Sequence, residues 1–181
     1  MSKIILDIGH ANGTGARGNG QEEHNLCSKV AYALKPALEK KGHQVTIIDF
    51  PKLSNRDDLN KTISTANAMS NVTLGISLHM DASSNKKARG GHVCYISESG
   101  KKIAQVVASH LCKYMQGRAN KTVHRKDLGV LKRTKAPWIL IELGFITNNL
   151  DIAKLMDNPK TPKNELQPLI DVLVEGIDKA L

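Results

Sequence analysis

Aromatic residues are scarce in this chain: one Trp, three Tyr and two Phe among 181 residues. A stacking platform for single-stranded nucleic acid would need more rings than this. Long apolar runs are absent too, and none approaches the roughly 20 residues that carry a helix across a bilayer. The amino terminus lacks a leader-like pattern, because Lys3 is followed at once by a short β-branched run and Asp7. This predicts a product made in the cytoplasm without a signal peptide, meeting any external substrate only after release or lysis. Cysteine is limited to Cys27, Cys94 and Cys112, with no CxxC spacing. An odd count without metal-type spacing argues against a disulfide framework and predicts three small buried hydrophobes in a reducing compartment.

Acidic residues are outnumbered. Lys and Arg total 26 against 17 Asp and Glu, a formal charge of +9. Such a surface favours anionic partners, from nucleic acid to acidic polymers. The remaining composition, 40% hydrophobic and 24% charged, is ordinary for a globular chain with a sizeable core.

Periodicity divides the chain into alternating elements. Strands are expected at 4–8, 43–50, 72–79, 92–97 and 136–143. Helices are expected at 22–41, 57–70, 101–115, 149–156 and 166–181. The first helix carries Leu26, Val30, Ala33, Leu34, Ala37 and Leu38 on one stripe, with Pro36 as a candidate kink and Gly42 as a stop. The stretch 117–134 reads as a basic loop and NPKTPKN (158–164) as a turn. No repeat or linker interrupts the series. The pattern predicts a single domain over 1–181, of α/β class, with a mostly parallel central sheet flanked by helices on both faces.

Three apolar runs end in reactive side chains. His10 follows IILDI, His79 closes LGISLH, and Glu142 sits inside WILIELGF. Ligands gather beyond the carboxyl ends of strands in parallel sheets. If these strands are neighbours, two imidazoles and a carboxylate meet at one sheet edge. Hydrolytic metal sites commonly combine two His with one Glu or Asp. The first helix offers Glu22 and Glu23. At about 100° per residue Glu23 falls within the apolar stripe and Glu22 outside its centre, so Glu23 is expected to face the sheet. His24 is rotated away. Each residue has a plainer explanation: hydrogen-bonded strand-end histidines, a helix-dipole carboxylate at Glu23, and a salt bridge to a loop cation at Glu142.

The ordered set of motifs resembles the zinc-dependent N-acetylmuramoyl-L-alanine amidases of the amidase-3 type, cell-wall hydrolases found as phage endolysins and bacterial autolysins. The likeness spans nearly the whole chain. It runs from LDIGH and a Gly-rich loop ending at Glu23, through KKGHQV, NRDDLNKTISTAN and ISLHMDAS, to GGHVCYI, VLKRTKAPWILIELGFITNNLD and EGI in the last helix. DIGHANG stands where many relatives have DPGHGG, and Gly117-Arg118 reverses a common Arg-Gly pair. The resemblance implies zinc ligands His10, Glu23 and His79, with Glu142 catalytic. It implies cleavage of the amide between N-acetylmuramic acid and L-alanine of the stem peptide. The implied partner is bacterial peptidoglycan, with anionic wall polymers a second expected partner of the basic loop, and neither nucleic acid nor membrane. Two other readings fit parts of the pattern: a zinc endopeptidase cutting within the stem, and a basic non-catalytic module binding polyanions or cell wall.

Overall fold

A computed structural model describes residues 1–156 and 165–181. The turn expected at 158–164 lies outside the described residues. In chain order the elements are β1 (Lys3–Ile8), β2 (Arg17–Gly18), β3 (Gln21–Glu22), α1 (Glu23–Lys40), β4 (Gln44–Ile48), α2 (Asn55–Ala68) and β5 (Leu74–Asp81). Then come β6 (His92–Tyr95), α3 (Glu98–Tyr114), β7 (Thr122–His124), α4 (Gly129–Arg133), β8 (Trp138–Phe145), α5 (Asn149–Ala153) and α6 (Gln167–Ala180).

Six strands form one sheet in the order β4-β1-β5-β8-β6-β7, and β2 and β3 make a small separate hairpin. β4, β1, β5 and β8 are parallel. β6 pairs antiparallel with β8 and parallel with β7, so the last two strands are reversed. The mostly parallel sheet follows from near-continuous apolar strands: Ile4, Ile5, Leu6, Leu74, Ile76, Leu78, Ile139 and Ile141 are all fully buried. Strands covered on both faces have no reason to alternate in polarity. One face packs against α1, α3 and α6 through Leu34, Leu38, Val107, Leu111, Leu169 and Leu173. The other is covered by α2 and α4, with Ile5, Ala66, Val130, Leu131, Trp138 and Leu140 as its core. The three cysteines are buried and unpaired.

The reversed strands explain part of one stretch read differently from sequence, and the Gly-rich loop before Glu23 likewise holds the β2–β3 hairpin. Residues 117–134 are not all loop: Thr122 and Val123 pair with Val93 and Cys94, and Gly129–Arg133 is a helical turn burying Val130 and Leu131. Three- and five-residue elements are too short to display a period. Helix α3 also starts earlier than expected, because Ser97 Oγ accepts from Gly100 N–H at 3.0 Å and caps it. α1 continues through Pro36 to Lys40.

Candidate metal centre

The central strands β1, β5 and β8 are neighbours, so their carboxyl ends open onto one rim. Gly9 N–H donates to Leu78 O at 3.0 Å, continuing the β1–β5 pairing to the residue before His10. His10 then takes φ of 63°, a left-handed conformation disfavoured for a side chain with Cβ. The turn sets its ring edge-on to that of His79, with centroids 4.9 Å apart and planes at 82°. Close packing here requires glycine: a Cβ on Gly9 would lie 2.4 Å from His79 Cε1, and one on Gly15 2.8 Å from Glu23 Oε2.

Glu23 opens α1 and is 3% exposed. Its neighbour Glu22 turns outward to pair with Arg17 at 2.8 Å, as the helical phase predicts. Both Glu23 oxygens are fixed. Oε1 accepts from Met80 N–H at 2.9 Å and lies 3.0 Å from His79 Nδ1; Oε2 accepts from Ala16 N–H at 2.7 Å and lies 3.5 Å from His10 Nε2. His10, Glu23 and His79 each offer one ligand atom, and these lie within 4.8 Å of one another. His24 is not in the group; it is buried and its Nε2 lies 2.9 Å from Asp49 Oδ1.

The electrostatics of this trio call for positive charge. Burial opposes ionisation of Glu23, but the hydrogen bond with His79 and the charges of both imidazoles outweigh it, and its pKa is lowered. Burial likewise opposes protonation of His79. The bond to Glu23 and the carboxylates of Glu142 and Asp7 override it and lift the imidazole to about 9. Two imidazoles and one carboxylate converging at this distance, with charge demand of this sign, are chemically suited to hold a divalent cation.

Glu142 stands beside this trio rather than in it. It is the register partner of His79 across β5–β8, and the one partly exposed residue in an otherwise buried strand β8. The register slips between His79 and Asp81, where a bulge in β8 ends regular pairing next to the site. Glu142 forms no ion pair among the described residues; the loop guanidinium of Arg118 pairs instead with Asp81 at 3.2 Å. Its Oε2 is buried without a hydrogen-bond partner among the described residues. Burial, with Asp81 and Glu23 nearby, pushes its carboxyl to about 7 against the opposing pull of His79 and Arg118.

Several participants carry no legible sequence signal. Asn55 Oδ1 lies 2.7 Å from His10 Nδ1. Asp7 is buried beneath the site and accepts from Ser77 Oγ at 2.6 Å and Thr62 Oγ1 at 3.1 Å, while Trp138 Nε1 donates to Ser77 at 2.9 Å. Only their places, Asn55 one residue after the Ser54 cap and Asp7 inside an apolar strand, set them apart.

A three-layer fold with a His-Glu-His trio and an adjacent unbonded carboxylate defines a protein equipped for metal-assisted chemistry. A family model described as N-acetylmuramoyl-L-alanine amidase matches residues 4–165, and the chain belongs to that family. Among curated relatives, a probable cell wall amidase LytH of Staphylococcus saprophyticus is 29% identical over 96% of this chain and 56% of its own length. The Bacillus subtilis protein YqiI is 28% identical over 97% of this chain and 82% of its own. The chain spans about half the length of the LytH relatives it matches. The catalytic domain of the CD27L endolysin, described as targeting Clostridia difficile, superposes with a TM-score of 0.84 at 26% identity, covering 98% of this chain and 97% of that domain. An N-acetylmuramoyl-L-alanine amidase from Clostridium difficile 630 gives 0.78 at 27% identity, covering 99% and 94%.

Proposed function

We propose that the chain is the catalytic unit of a peptidoglycan amidase, cleaving the bond between N-acetylmuramic acid and L-alanine, with zinc held by His10, Glu23 and His79. The observation that carries this reading is Glu142. A buried carboxyl with an unbonded oxygen and a pKa near 7, one strand from a His-Glu-His trio, serves no evident packing purpose.

Bound zinc would supply Lewis acidity toward the amide carbonyl and toward water. The residues of the chain do the rest. With Nδ1 protonated and donating to Asn55, His10 presents the lone pair of Nε2 toward Glu23. Met80 and Ala16 amides keep the Glu23 carboxylate from rotating. Glu142 takes the proton of the attacking water and delivers it to the departing nitrogen of L-alanine, and a pKa near neutrality suits both transfers. In this reading the substrate is met outside the cytoplasm, after release or lysis, and the +9 charge assists contact with anionic wall polymers.

Purified peptidoglycan incubated with the chain should release the amino group of L-alanine, with no new reducing ends. Glu142→Gln should lower kcat by about 10²–10⁴-fold while keeping stoichiometric zinc. Appearance of a different stem amino group would identify an endopeptidase instead. Turnover by Glu142→Gln within a few-fold of the wild-type chain would remove Glu142 from the mechanism.

A further inference from the structure

A cleft opens among segments that follow the site-bearing strands. It has a volume of about 700 Å³ and is lined in part by Asn19, Lys86, Lys87, Arg89, Thr147 and Asn149, with no Asp or Glu among the described residues of its lining. Its walls are the segments adjoining the site residues. Asn19 lies in the hairpin that leads into Glu23, Lys86–Arg89 in the loop after β5 and His79, and Thr147–Leu150 in the segment after β8 and Glu142. Hydrogen bonds tie these walls together. Asn19 Nδ2 donates to Ile146 O at 2.9 Å, Ser83 N–H to Thr147 Oγ1 at 3.1 Å, and Asn148 Nδ2 to Lys86 O at 2.8 Å. These bonds fix to one another the segments that adjoin Glu23, His79 and Glu142 in the chain.

The guanidinium groups of the basic stretch 117–135 are engaged, whereas its lysines, Lys121, Lys126, Lys132 and Lys135, form no ion pair among the described residues, like those of the cleft. In that stretch Arg118 pairs with Asp81, Arg125 with Asp127, and Arg133 donates to Asn60. Among the described residues, Lys86, Lys87 and Arg89 pair with no carboxylate, and both lysines are exposed. Unpaired positive charge around a concave, amide-rich surface recognises carboxylates through charge-assisted hydrogen bonds.

We propose that this cleft binds the carboxylate-bearing stem peptide on the leaving-group side of the scissile amide. This rests on the amidase reading above, since L-alanine leaves together with the acidic residues attached to it. Lys86 and Lys87 are then specificity-determining residues that touch the peptide beyond the reacting bond.

The test uses the zinc-loaded chain and two synthetic muramoyl peptides, one with free stem carboxylates and one with those groups amidated. Lys86→Ala/Lys87→Ala should raise KM for the free-carboxylate peptide about tenfold, leave kcat within about twofold, and leave KM for the amidated peptide unchanged. Lys86→Glu/Lys87→Glu should exceed that effect, again without loss of zinc. Calorimetric binding of the released acidic stem peptide should weaken in both variants. That measurement requires no turnover, so lysine-dependent binding supports the cleft even if the wild-type chain cleaves neither substrate, a result that would overturn only the assigned reaction. Equal KM changes for the two peptides would overturn the proposal. So would unchanged peptide KM and binding with loss only of retention on walls bearing polyphosphate polymers, which would make the cleft a polyanion anchor.

Discussion

Burial of Glu142 works against folding as pH rises. Its carboxyl loses a proton near 4.5 when unfolded but near 7 when folded. Between those values the folded chain holds more protons, so its stability falls with increasing pH and stays reduced above 7. The metal-free Glu142→Gln chain should therefore be more stable than the metal-free wild type at pH 8, by on the order of 2 kcal/mol. The gap should close toward pH 4.5. Urea denaturation at the two pH values measures it, and a pH-independent difference would mean that the carboxyl is not desolvated in solution. Burial and the guanidinium charges of Arg118 and Arg125 depress His92, the register partner of Glu142 on β6, to about 4. Stability from neutral His92 is thus complete above pH 6.5 and lost as pH falls through 4. His92→Phe should flatten the acid limb of the stability profile across that window. Single residues were unevenly legible in the sequence. Glu142 stands out because a charge in an apolar strand violates a local rule, and helical phase separates Glu23 from Glu22. Asn55 obeys every local rule for the start of a helix, so nothing marked it as a partner of His10.

Among the elements, Asp151 of α5 ties the loop before β6 to the end of β8. It is 1% exposed, and its Oδ2 accepts from Gly90 N–H at 2.7 Å and Phe145 N–H at 2.9 Å. Asp151→Ala would leave both amides buried without partners and should destabilise the fold by about 2–5 kcal/mol. Asp151→Asn, which retains a carbonyl acceptor, should recover part of that loss. Denaturant midpoints compare the two, and an Ala variant within 0.5 kcal/mol of wild type, roughly the scatter of neutral surface changes, would show that water replaces the carboxylate. At this level the long elements were readable from period and caps, to within a few residues at their ends. β7 and α4 were not, because their stability comes from β6 and the second core rather than from their own sequence. Ser97 moved the start of α3 one turn earlier through a bond that hydropathy does not register.

For the molecule as a whole, Glu23 joins three parts of the chain: the loop after β1 through Ala16, the first helix, and β5 through Met80 and His79. A cation shared by His10, Glu23 and His79 would lock the same parts together. Stripping metal from the wild-type chain should lower Tm by on the order of 10 °C when the free ion had stood at a thousand times its Kd. Glu23→Ala should show no such shift. Strand order was the part of the architecture that the sequence withheld. Pairing of β1, β5 and β8 joins residues far apart in the chain, and apolar runs carry no record of their neighbours. The reversed β6–β7 pair was hidden for the same reason. The three buried thiols have a practical consequence. Burial raises each above its usual range, Cys94 to about 12. A neutral-pH alkylating reagent should leave the native chain unmarked and tag it only on opening. Cys27 and Cys112 lie in helices on one side of the sheet and Cys94 within it, against the other core. The order in which the three are labelled on gentle warming would report which layer of the molecule loosens first.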